Sequence, residues 1–87
     1  MSNDVVDSAI PLTEMVVAVD LNGVRHQLCT VGEAVRFMTA ATQYVQDSLE
    51  YREARKSLEQ AAADAIHVRY AVKSLRIFLN KERLLVA

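Results

Sequence analysis

The sequence predicts an α+β domain in which an N-terminal two-stranded antiparallel β-hairpin packs against two or three α-helices. Three observations carry that expectation. Between Met15 and Thr30, β-branched and apolar residues alternate around Asn22-Gly23. Thr30-Val31-Gly32-Glu33 has the composition of a helix start, and from Tyr51 to Leu79 apolar residues recur at intervals of three and four.

Asn-Gly is the pair that most readily takes the two positive φ values of a type I′ turn, whose twist matches that of the flanking strands. A two-residue loop at Asn22-Gly23 sets Leu21 opposite Val24, Val19 opposite His26 and Val17 opposite Leu28 on an apolar face. Asp20 then faces Arg25, Ala18 faces Gln27 and Val16 faces Cys29 on a mixed one. A lone hairpin is marginal in water, so the apolar face needs cover, and the remaining sequence offers only helices for it.

A first helix is expected from Thr30. Its hydroxyl can accept from the amide of Glu33 while the Glu33 carboxylate reaches back to the Thr30 amide, which is a capping box. The apolar stripe runs through Val31, Ala34, Val35, Met38, Ala41 and Val45, widened by Phe37 and Tyr44. Asp47-Ser48-Leu49-Glu50 supplies a second cap, so a new helix is expected from Leu49. Beyond it Tyr51, Ala54, Leu58, Ala61, Ala65, Val68, Val72, Leu75 and Leu79 trace a heptad seam. As one straight helix the seam would be about 45 Å long and would demand an oligomeric partner. Alternatively Asp64 caps a third helix over about Ile66–Asn80. Periodicity favours one helix and compactness favours two.

Eighty-seven residues make one domain near the small end of what folds alone, burying about 60–65% of its unfolded surface. Residues 1–13 are expected to form an irregular acidic leader, since they hold the only proline, Pro11, and lack a period; residues 14–87 form the hairpin-plus-helices domain. With 52% hydrophobic but only 6% aromatic residues, the core must be built from Ala, Val and Leu. The net charge of −1 argues against wholesale binding of nucleic acid or membrane. The charge is nevertheless polarised: residues 1–20 carry four acids and no base, residues 65–87 five bases and one acid. Cys29 has no disulfide partner in the chain, no secretory signal pattern is present, and no apolar run approaches the roughly 20 residues of a membrane span, so a cytoplasmic location is expected.

These features together resemble a small alphaproteobacterial family, domain of unknown function family 982, over residues 15 to about 86. The resemblance lies in Val16–Val19 with Gly23-Val24-Arg25, in Thr30-Val31 with Glu33-Ala34, in Tyr51-Arg52-x-Ala54 and in Val68-Arg69-x-Ala71. The chain departs from the family pattern at Tyr44-Val45, where the family tends to have Trp-Pro, and at Ala63, where it tends to have Gly. The resemblance implies a hairpin with three helices and a break near Asp64; it carries no catalytic or ligand residues.

The chemistry-bearing residues do not assemble into a recognisable catalytic pattern. His26 and Cys29 could in principle pair as base and thiol, but positions three apart on a strand point to opposite faces. Zinc needs about four ligands, and besides carboxylates the chain has only His26, His67 and Cys29. Its two glycines, Gly23 and Gly32, form no phosphate-binding loop. No enzyme activity, cofactor or metal is therefore expected.

Glu50, Glu53 and Glu59, interspersed with Arg52, Arg55 and Lys56, read as a solvated helix face. Arg69, Lys73, Arg76 and Arg83 are spaced four, three and seven apart and predict a basic stripe, the candidate surface for an acidic protein partner or for the acidic leader itself. Tyr70, Ile77 and Leu84 are surplus apolar positions, the candidate homodimer contact. The expected function is thus a non-enzymatic interaction or regulatory module, homodimeric and docking a protein partner. The alternative is a small nucleic-acid-binding protein using the basic stripe.

Overall fold

The computed structural model describes residues 8–41 and 48–86. Strands β1 (Pro11–Val19) and β2 (Arg25–Thr30) form an antiparallel hairpin, followed by α1 (Val31–Ala41), α2 (Leu49–Ala63), a 3₁₀ turn (Ala65–His67) and α3 (Val68–Lys81). The class is α+β, with three helices. Residues 1–7, the first-helix positions Tyr44 and Val45, and Asp47 of the second cap lie outside the described residues.

β1 begins inside the stretch expected to be leader. Leu12 is buried, and the carbonyls of Ser8 and Ile10 accept from the amides of Gly32 and Val31 at 3.1 and 2.9 Å. Those amides belong to the first turn of α1 and have no intrahelical acceptor, so residues 8–10 complete the helix terminus.

The hairpin is shifted by one residue from the expected register. Val16 faces Leu28, Val17 faces Gln27, Ala18 faces His26 and Val19 faces Arg25. The turn has the matching geometry. Asp20 N donates to the Val24 carbonyl and Gly23 N to the Asp20 carbonyl, both at 2.9 Å, and of the Asn22-Gly23 pair only Gly23 has positive φ, at +84°. This is a three-residue loop, a type I turn closed by a left-handed glycine, rather than type I′. Asp20 favours it: its Oδ1 accepts from the amides of Asn22 and Val24 at 2.8 and 3.0 Å. A one-residue slip exchanges the faces, so Val16, Ala18 and Leu28 enter the core while Val17 and Val19 are only partly covered. A Cβ at Gly23 would meet nothing within 4 Å, so the cost of Gly23→Val is purely conformational. A loss of about 1–2 kcal/mol is expected in denaturant unfolding, with Gly23→Asn milder.

The capping box forms as expected. Thr30 Oγ1 accepts from Glu33 N at 3.2 Å, and Glu33 Oε1 accepts from the amides of Thr30 (3.2 Å) and Cys29 (2.7 Å). Thr30→Ala should destabilise the protein by about 1 kcal/mol, read as a lowered denaturation midpoint at unchanged slope. α1 lays Val31, Ala34, Val35 and Met38, all fully buried, into the core.

α2 starts at Leu49 with Ser48 as N-cap, whose Oγ accepts from Tyr51 N at 3.1 Å. The seam then breaks at Asp64. Its extended backbone (φ −152°, ψ 117°) ends α2 by donating to the Gln60 carbonyl, and its Oδ1 accepts from Ile66 N at 3.1 Å to start the next turn. The long axis of the molecule, 30 Å, excludes a straight helix of about 45 Å. The seam closes on itself instead: Tyr51, Ala54, Leu58 and Ala61 of α2 are buried with Val68, Val72, Leu75 and Leu79 of α3. Ala65, read as part of the seam, is exposed at the bend. Between the helices the hydroxyls of Ser57 and Ser74 meet at 3.4 Å, and Ser57 also donates to the Glu53 carbonyl.

α3 ends in a Schellman motif. Leu84 N donates to the Leu79 carbonyl at 2.8 Å, Arg83 N to the Asn80 carbonyl at 3.1 Å, and Arg83 occupies the left-handed position at φ 61°. The turn throws the chain back along β1. Val19 N donates to the Leu84 carbonyl and Val86 N to the Val17 carbonyl, each at 2.8 Å, so residues 84–86 cover the second edge of β1.

Candidate interaction surface

Antiparallel packing of α2 on α3 leaves a groove of about 380 Å³ between them, lined by Leu49 and Glu53 of α2 and by Tyr70, Lys73 and Ile77 of α3. Leu49, Tyr70 and Ile77 are 62%, 55% and 53% exposed. Three large apolar side chains are thus grouped in one concave patch rather than scattered singly over the surface. Ile66, 78% exposed, stands on the neighbouring 3₁₀ turn.

The third residue of the expected dimer contact, Leu84, does not line this groove. Leu84 is buried in the monomer, because the Schellman turn folds it back toward Leu79 and the edge of β1. Leu49, which sequence reasoning left out, takes its place. The only signal for it was an apolar residue in the first turn of a capped helix.

The expected basic stripe is likewise divided. Arg69 and Lys73 are exposed on α3 and make no ion pair among the described residues. Arg76 is neutralised by Glu14 of β1 at 3.0 Å, so the acidic N-terminal part of the chain does meet the basic C-terminal part at that point. Arg83 lies beyond the last residue of α3, in the Schellman turn, and so is not on the helical face.

The charged face expected on α2 is only partly local. Arg55 pairs with Glu59 one turn on at 3.3 Å and also reaches Thr39 of α1, while Glu50 is engaged by Lys81 of α3 at 3.0 Å. The groove thus has an acidic rim on α2 and a basic rim on α3.

No family model, curated protein or solved structure matches this chain. Among the described residues no three His, Cys, Asp or Glu side chains gather as a metal site would require, and no helix is long and apolar enough to cross a membrane.

His26 is placed by the shifted register rather than by Cys29. Asp20 and His26 become diagonal neighbours on one face of the hairpin, with His26 Nε2 at 2.9 Å from Asp20 Oδ2 and the ring edge-on to Phe37 of α1 at 5.1 Å. Cys29 is exposed.

The His26 hydrogen bond, helped by the amides of Val24 and Asn22, holds the Asp20 carboxyl below its ordinary value of 3.8. The hydrogen bond from Lys81 does the same for Glu50, whose ordinary value is 4.5. A carboxyl with a lower pKa folded than unfolded contributes stability that is complete above its unfolded value and lost as pH falls through its folded value. The melting temperature should therefore be insensitive to these groups above about pH 5 and fall through and below about pH 4. In an Asp20→Asn/Glu50→Gln variant the acid limb of a melting-temperature-versus-pH curve should be shallower.

Proposed function

We propose that this protein is a non-enzymatic interaction module that works as a homodimer through the α2–α3 face and presents its unpaired cations to an acidic protein partner. The observation that carries this reading is the grouping of Leu49, Tyr70 and Ile77, each more than half exposed, in one groove. A second copy suits the groove because its rims are self-complementary. Under a two-fold axis, Glu53 of one copy meets Lys73 or Arg69 of the other and the reverse contact follows by symmetry. Arg83, with whichever of Arg69 and Lys73 is not engaged by Glu53, remains for an acidic partner. The exposed thiol of Cys29 suits a reducing, cytoplasmic compartment.

Sedimentation at micromolar concentration tests the reading. The unmodified protein should be a dimer, and Ile77→Glu, which sets a charge in the desolvated contact, should be a monomer with unchanged circular dichroism. A clean monomer for the unmodified protein overturns the proposal. Retention on a nonspecific DNA duplex that falls steeply with salt would replace it with nucleic-acid binding.

A further inference from the structure

The hydrogen-bonding directions of the sheet follow from its two sides. Val17 and Val19 bond to residues 84–86, so the inward groups of Val16 and Ala18 point to β2, where they meet Leu28 and His26. Arg25 and Gln27 must then direct their amides and carbonyls away from β1. Among the described residues nothing pairs with them, whereas the next outward amide, that of Cys29, is taken by Glu33.

This open edge borders a groove of about 770 Å³ between β2 and α1, lined by Arg25, His26 and Gln27 on one wall and Arg36, Phe37 and Ala40 on the other. An edge strand beside a helix-walled groove is the geometry in which an extended peptide adds a strand. The other edge of the sheet is already used in that way by residues 84–86.

The charges select the occupant. Both carboxylates at the groove are already engaged within the fold: Asp20 accepts from two amides and is bonded to His26, and Glu33 Oε1 accepts from two amides. Among the described residues neither arginine has a carboxylate partner: Arg25 makes no ion pair, and Arg36 donates only its Nε, to the Gly32 carbonyl at 3.4 Å. An added strand turns alternate side chains to the two faces of the sheet. One set would meet Arg36 on α1, and the other would run beside Arg25 and Gln27. We infer that β2 is a docking edge for an extended acidic segment of a partner protein, held by main-chain bonds to Arg25 and Gln27 and selected by Arg25 and Arg36. This surface shares no residue with the α2–α3 groove and stands independently of the homodimer.

Amide hydrogen exchange of the intact protein tests the inference, using a short synthetic peptide of alternating threonine and glutamate and its threonine–lysine counterpart. The acidic peptide should slow exchange at Arg25 and Gln27 on the order of tenfold, and the basic peptide should not. Gln27→Pro removes an outward-pointing donor without removing a bond to β1, so it should abolish the protection. Arg25→Glu/Arg36→Glu, both at exposed positions, should reverse the peptide preference and keeps the test decisive if the proline variant does not fold. Absence of protection, equal protection by both peptides, or protection confined to α2 and α3 overturns the inference. Protection of Arg25 and Gln27 that grows with protein concentration without peptide also overturns it, making the occupant a second copy.

Discussion

Phe78→Ala is expected to destabilise the protein by about 3–5 kcal/mol, whereas Ile77→Ala, one residue earlier, should change stability by less than about 0.5 kcal/mol. Phe78 is fully buried and meets the ring of Tyr51 edge-on, with centroids 5.5 Å apart and planes at 77°. Truncation removes the largest fully buried side chain of a core short of aromatics, and with it the ring contact that ties the start of α2 to the end of α3. For a domain of this size total stability is on the order of 5–15 kcal/mol, so the variant approaches unfolding near physiological temperature. Ile77 points into the solvent-facing groove, and its loss leaves no internal cavity. Denaturant midpoints of the two variants, taken at concentrations low enough for the protein to be monomeric, measure the difference. Comparable losses would mean that Ile77 belongs to the monomer core.

Leu84→Ala should cost about 2–3 kcal/mol and should do so at one place. Leu84 is 7% exposed although it lies beyond the last helix, because the Schellman turn returns it to the core. Its carbonyl receives the amide of Val19, and two residues on Val86 donates to Val17. Loosening Leu84 therefore frees that edge of β1 while leaving the β2 edge intact. Hydrogen exchange should lose more protection at Val19 than at Ala18, which is paired with His26 on the other side. Uniform loss across β1 would mean that the C-terminal segment does not act as a separable edge.

The elements that could be read from the chain are those whose causes lie within a few residues. The capping box at Thr30 and Glu33 and the helix start at Ser48 are contacts between neighbours and are found where their spacing puts them. Asp64, one of two readings of the seam, caps a 3₁₀ turn, and the α-helix itself begins at Val68 rather than Ile66. The position of the hairpin was legible in the same way, but its register was not. Asn22-Gly23 and the Asp20 side chain favour different turns. The covalent neighbourhood does not decide between them, whereas burial of Val16, Ala18 and Leu28 beneath the helices does.

The candidate interaction surface divides along the same line. Helical periodicity marked Tyr70 and Ile77 as surplus, since that depends on one helix alone. It could not supply Leu49 or reject Leu84, since those depend on which helix lies against α3 and on where the chain goes after the Schellman turn. The heptad seam could equally have been satisfied by a second chain; Asp64 turned it inward, where the same apolar stripe is buried without a partner. The open edge of β2 was invisible for a further reason. Its outward-facing amides are recognisable only once residues 84–86 are known to occupy the opposite side of β1, a contact between the two ends of the chain that no local pattern encodes.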